Sequence, residues 1–290
     1  MKQKLLIHPV FGLWQNPTKR VLLLLLFIVV LSMNGMAILN DSLIFCTDMD
    51  ETNGTLVQDI VGGRNGTAGS GGLITAGIMG NARRFTTDIN SRINFGDTNL
   101  FDGLTSITVE FWANISDFAT EAKIMGKSTN IANADTFRIA YYPSASLGFY
   151  GYWIDSGNRI QEMYNNYYGF QTKTWQQFIM VKNGTESSYY HNGTRIGTAT
   201  NINMVGLKDS TAIFWYGFAE EGGAGSSGTF ALDSVKIWNR NITSDEISSL
   251  YNSGLGTSCN TIFNGATITP SLSLTSDLAA SGTYINNPMI

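Results

Sequence analysis

The feature that most narrows the folds open to this chain is the spacing of its apolar residues, which is two rather than 3.6 over most of its length. Ile107, Val109, Phe111, Ala113 and Ile115 alternate with Thr108, Glu110, Trp112 and Asn114. Successive side chains of a strand point to opposite faces, so this segment reads as a strand with one face in a core. Residues 175–182 read as a second strand, apolar on both faces and therefore expected at the centre of a sheet. Asn183-Gly184 follows, then 187–191, then Asn192-Gly193, then 194–198. Asn-Gly between β-rich runs favours a type I′ turn, in which both central residues take positive φ, so a three-stranded meander is expected here. Residues 137–142 and 147–153 form a further hairpin, turning at 143–146.

One helix stands out behind these strands. Thr243 and Glu246 have the spacing of a capping box, Ile247, Leu250 and Tyr251 form the apolar stripe, and Gly254 is the expected left-handed stop. It follows a strand over 229–238. There Phe230 and Leu232 share one parity and Val235 and Ile237 the other, which requires an extra residue, a β-bulge at Asp233-Ser234. A bulge turns a side chain or a carbonyl out of the ladder, a useful device at a ligand or ion site. Charged residues make up only 14% of the chain and net charge is −4, which argues against a nucleic-acid partner. The 31 glycines and 5 prolines among 290 residues suit many short strands joined by tight turns.

The N-terminus reads as an address. Lys2, Lys4, Lys19 and Arg20 precede an unbroken apolar run over 21–31, and small residues follow at Gly35 and Ala37. Residues 1–37 are therefore expected to be a secretory signal peptide cleaved after Ala37, or an uncleaved membrane anchor. The stretch 21–39 approaches the roughly 20 residues needed to span a bilayer. In both cases the remainder is delivered to the extracellular side, so the protein is expected to be secreted or on the cell surface. In that compartment Cys46 and Cys259 are expected to form a disulfide, the alternative being two unpaired buried thiols. Asn53, Asn65, Asn114, Asn183, Asn192 and Asn241 all begin Asn-x-Ser/Thr triplets, which are glycosylation acceptors in an exported chain and ordinary turn residues otherwise. Residues 38–259 make one domain. Residues 260–290, almost uncharged, are a linker or the start of a further β-domain.

Taken in order, several segments resemble the laminin-G-like, concanavalin A-like jelly-roll family of lectins and glucanases. "LIFCTDMDE" (43–51), "QDIVGGRNGT" (58–67) and "GIMGNARRF" (77–85) look like its opening. "TSITVEFWANI" (105–115) and "KTWQQFIMVKNGTESSYYHNGTRIGT" (173–198) are similar to its Trp strands and hairpins. "ALDSVKIWNRNITSDEISSLYNSG" (231–254) resembles its closing strand and capped helix. The loop at 220–228 and an Asn/Tyr-rich insert at 163–170 depart from the pattern. The resemblance implies an all-β fold, a two-sheet antiparallel jelly-roll sandwich with one short C-terminal helix, preceded here by the signal or anchor helix.

It also implies that the first and last strands are neighbours, so that Asp50, Asp59 and Asp233, with Asp48 beside them, can converge on a structural calcium ion. The plainer reading of these residues is turns and caps. Tyr164, Tyr167 and Tyr168 in the insert are the candidate ligand-binding aromatics. Tyr141, Tyr142, Tyr150, Tyr152, Trp153, Trp215 and Tyr216 could join them in stacking on sugar rings, or fill the core. Catalysis is not expected. A glycosidase needs two carboxylates flanking the scissile bond, and no strand carries an acidic pattern of that kind. His191 reads as a surface turn residue rather than a base, and no phosphate-cradling Gly motif precedes a helix. The expected function is a non-catalytic, calcium-stabilised extracellular carbohydrate-binding or adhesion module. The alternative is a protein–protein adhesion or structural module of the same fold with no sugar site.

Overall fold

The computed structural model describes residues 39–263, apart from 71, 118–120, 129–134, 143–147, 166–168, 201–204 and 218–227. The expected signal or anchor segment over 1–37 and everything beyond Phe263 lie outside the described residues. No described helix is long and apolar enough to cross a membrane.

The described strands are β1 (Leu43–Thr47), β2 (Leu56–Val57), β3 (Gly66–Ala68), β4 (Leu73–Ala76), β5 (Asn81–Phe85) and β6 (Ile93–Asp97). Then come β7 (Ser106–Ile115), β8 (Ala122–Lys127), β9 (Phe137–Tyr142), β10 (Gly148–Ile154) and β11 (Ile160–Asn165). The series closes with β12 (Trp175–Asn183), β13 (Glu186–His191), β14 (Thr194–Thr200), β15 (Ile213–Tyr216) and β16 (Phe230–Trp238). They form two antiparallel sheets. The first runs β14-β13-β12-β7-β16-β5-β4 with β1 also on β16, and the second runs β11-β10-β9-β8-β15-β6-β3-β2. This is the expected all-β two-sheet sandwich, with β12 and β7 at the centre of the first sheet.

The core lies between the sheets. The alternating residues of β7, from Ile107 to Ile115, meet Phe95, Phe137, Phe149, Trp153 and Phe214 of the opposite sheet. The expected bulge is present: pairing of β16 with β7 slips between Asp233 and Lys236, and Ser234 takes φ +52°. As a result Phe230, Leu232, Val235 and Ile237 all reach the same core. The meander is also present, but its turns differ. Asn192 and Gly193 both have positive φ, as a type I′ turn requires. The first turn sits one residue later than expected, because Asn183 still pairs with Glu186 and Gly184 carries the positive φ.

The outer face of the first sheet is not solvated, against what the alternation suggested. A second apolar layer covers it, formed by Leu39, Trp238, Ile242, Ile247, Leu250 and Ile262, among others. Most of that cover comes from α1 (Ser244–Tyr251) and from a second short helix, α2 (Cys259–Phe263), that the sequence did not announce. Thr243 and Glu246 form the capping box. The helix stops at Asn252, in the left-handed conformation, two residues before Gly254. Cys46 and Cys259 are joined as a disulfide, with their Cα atoms 5.8 Å apart.

Because that outer face is dry, its polar groups pair with one another. Glu110 and Lys236 face each other across β7 and β16, both fully buried, 2.9 Å apart. Lys236 also donates to the Ser234 hydroxyl at 2.6 Å, and Gln177 donates to Glu110 at 3.1 Å. Burial pushes the Glu110 carboxyl up while Lys236 pulls it down. Removing one partner from such a pair leaves a buried charge uncompensated, at a cost of about 3–5 kcal/mol.

Candidate functional site

The acidic residues expected to converge are each occupied differently. Asp48 is buried and caps α2 from a distance: its carboxylate accepts from the Cys259 amide at 2.8 Å and the Asn260 amide at 3.4 Å. Asp59 is buried and organises its own loop, accepting from the amides of Cys46 (3.0 Å), Val61 (3.2 Å) and Arg64 (3.1 Å). Asp50 is exposed and accepts from the Asn81 amide at 2.7 Å. Asp233, at the bulge, accepts with Oδ2 from Ile78 (2.8 Å) and Met79 (3.0 Å). Its Oδ1 is buried and has no hydrogen-bond partner among the described residues. Burial, opposed by those amides and by Lys236, pushes this carboxyl up to about 8.

Among the described residues no three His, Cys, Asp or Glu side chains gather closely enough to hold a metal ion. Asp50, Asp59 and Asp233 therefore do not make a carboxylate cage. Asp233 alone offers a buried, unshared oxygen, and a calcium ion takes about 6–8 of them.

The loop that Asp59 builds has another use. It forms one wall of a polar groove of about 660 Å³, through Gly63, Arg64 and Asn65. The Asp59 amide donates to Asn65 Oδ1 at 3.0 Å, which fixes that wall. The facing wall is β6 and the turn after it, carrying Phe95, Asp97, Asn99 and Asp102. Thr98 caps this turn by accepting from Leu100, and buried Leu100 and Phe101 anchor it in the core, so the polar residues between them line the groove. Asp209 arrives from far along the chain. It is delivered by a close approach of two backbones: a Cβ on Gly206 would lie 2.4 Å from the Gly103 carbonyl oxygen.

Beneath the groove lies Lys127, the last residue of β8, fully buried. Its Nζ donates to the Thr98 carbonyl at 2.5 Å and to Asp102 Oδ1 at 3.4 Å, and pairs with Asp97 Oδ1 at 3.2 Å. Burial raises the Asp102 carboxyl, Lys127 lowers it, and the hydrogen-bonded Asp209 carboxyl raises it again. Asp102 and Asp209 are therefore near neighbours on the groove. The groove offers clustered acceptors beside amide and guanidinium donors, a complement to the paired hydroxyls of a sugar.

The aromatic expectations fare unevenly. Tyr141, Tyr152, Trp153, Trp215 and Tyr216 are buried, so their packing role prevails. The insert at 163–170 is partly β11, which pairs with β10, and Phe170 packs on Phe149 and Phe178. Tyr164 is in that strand, opposite Tyr150, with its side chain outside the description, and Tyr167 and Tyr168 lie outside the described residues. His191 is buried rather than a surface turn residue, 3.0 Å from Gln176 Oε1. The sequence does not announce the groove: its residues come from three distant stretches, and among them Asn65 carries a sequence signal only as a sequon.

The family model described as the concanavalin A-like lectin/glucanases superfamily matches residues 86–248. No curated protein shows significant sequence similarity to the chain. Among solved structures, the chain is similar to the binding domain of Paraclostridial Mosquitocidal Protein 1, at 18% identity and a TM-score of 0.61, covering 74% of this chain and 53% of that one. It is similar to the botulinum neurotoxin serotype G binding domain, at 14% identity and a TM-score of 0.58, covering 72% and 50%. A third is the botulinum neurotoxin serotype D ligand binding domain in complex with N-acetylneuraminic acid, at 15% identity and a TM-score of 0.59, covering 76% and 52%. The chain thus spans about half the length of these relatives, and the likeness is one of fold.

Proposed function

Because this chain belongs to the concanavalin A-like lectin/glucanases superfamily, we propose that it is an exported, non-catalytic carbohydrate-binding module that holds its ligand in the groove above Lys127. The observation that carries this reading is the groove itself: a concave, polar site whose acceptors are fixed in place by a buried ammonium group. Rigid acceptors lose little freedom on binding, which favours a ligand as well hydrated as a sugar. The solved neurotoxin domain that holds N-acetylneuraminic acid supports a glycan ligand for this fold, and the groove supports a site on this chain. The lack of any strand with a glycosidase-like acidic pattern supports the non-catalytic part. In this reading the calcium expectation narrows to Asp233, whose unshared Oδ1 would need main-chain oxygens to complete a site.

The test is a glycan array probed with the full chain, in calcium and in chelator. Binding that disappears in Asn99→Ala, with unchanged melting temperature, and in Asp97→Asn, which keeps an oxygen on Lys127, is the expected result. No bound glycan, or binding indifferent to both variants, would sink the reading. A melting temperature that falls on chelation in the wild type but not in Asp233→Asn is the expected mark of calcium; equal melting in both solutions removes it.

A further inference from the structure

We infer that the groove selects uncharged glycans and rejects those bearing carboxylate or sulfate groups, an inference that rests on the carbohydrate-binding reading above. The sign of the groove decides it. Three acidic side chains line it, those of Asp97, Asp102 and Asp209, and even with one proton shared between Asp102 and Asp209 two negative charges face one guanidinium, that of Arg64. Lys127 does not reverse this balance. Its ammonium is fully buried and is consumed by the Thr98 carbonyl, Asp97 and Asp102. Asp97 and Asp209 are exposed, so their charge faces whatever enters.

Among the described residues lining the groove, Arg64 carries the one cationic side chain, and its position argues against its receiving an anionic sugar. Its Nη1 lies 2.3 Å from where a Cβ on Gly62 would stand, against its own loop. The guanidinium is thus folded back on its own loop. An acidic sugar in the groove would meet like charge on the wall opposite, and like charges at contact distances discriminate by about tenfold or more. A neutral sugar instead donates hydroxyl protons to those carboxylates, a charge-assisted and therefore strong set of hydrogen bonds.

The test uses matched oligosaccharides: each neutral core with and without a terminal N-acetylneuraminic acid, and with and without a sulfate. Titration of the full chain should give affinities for the neutral member about tenfold or more above its acidic partner. Asp209→Asn, checked for an unchanged melting temperature, should shrink that ratio severalfold, and added salt should shrink it in the wild type. Preference for the acidic member, lost in Arg64→Gln, would overturn the inference and leave the carbohydrate reading standing. Silence toward every core would overturn both.

Discussion

The ring of His191 lies 5.3 Å from the centre of Phe178 and 5.0 Å from that of Phe170, with one nitrogen on Gln176. Burial lowers its pKa from 6.5 to about 4. A group whose folded value is depressed contributes stability above its unfolded value and loses it as pH falls through the folded one. Between pH 6.5 and 4 the fold should therefore lose up to about 3 kcal/mol through this one ring. Urea denaturation at pH 7, 5.5 and 4.5 should show that loss in the wild type, and a smaller one in His191→Gln. An identical pH slope in both proteins would place the titration elsewhere. His191 looked like a surface residue because a turn follows it; what the sequence could not display is Phe170, more than twenty positions earlier, closing over it. Asp59 is the converse. An aspartate before a Gly-rich stretch reads equally as a metal ligand or a turn organiser, and only its three backbone donors separate the two.

Strand periodicity carried the elements well where one rule operates alone. The bulge at Ser234 followed from a change of parity within β16, and the capping box from two residues three apart. The dry outer face of the first sheet did not. Glu110 and Lys236 look like solvent-facing charges within their own strands, and they become a buried pair only because β7 and β16 are neighbours and helices lie over them. The groove was illegible for the same reason, since Asp102 and Asp209 meet through two loops distant in sequence. Packing between the sheets is tight enough to be tested at one atom. A Cβ on Gly151 would lie 2.1 Å from the Tyr189 hydroxyl and 2.6 Å from Met180 Cε. Gly151→Ala should shift the denaturant midpoint by an amount worth about 1–3 kcal/mol, since overpacking forces strand or side chain to move. A midpoint unchanged from wild type would mean that this interface is looser than drawn.

At the scale of the whole molecule the sandwich is closed by its ends. The disulfide joins residues 213 positions apart, and Asn40 donates to the Phe263 carbonyl at 3.3 Å. Loop-closure entropy gives a bond of that span about 5 kcal/mol. Cys46→Ser with Cys259→Ser should lower the unfolding free energy by that order. It should also open 252–263 to protease before the sheets, because α2 is held chiefly by this bond and by Asp48. Equal stability and equal protease resistance would show the cover to be self-sufficient.

The same crosslink has a mechanical meaning. A tension applied to the chain on either side of the domain first meets residues 39–45 at one end and α2 at the other, and then crosses from Cys46 to Cys259 through one covalent bond. β16 shares the load through its pairing with β1, while the strands from β2 to β15, with the groove between their loops, lie beyond that bond. A module so wired can transmit a pull between whatever flanks it while its binding face stays unloaded.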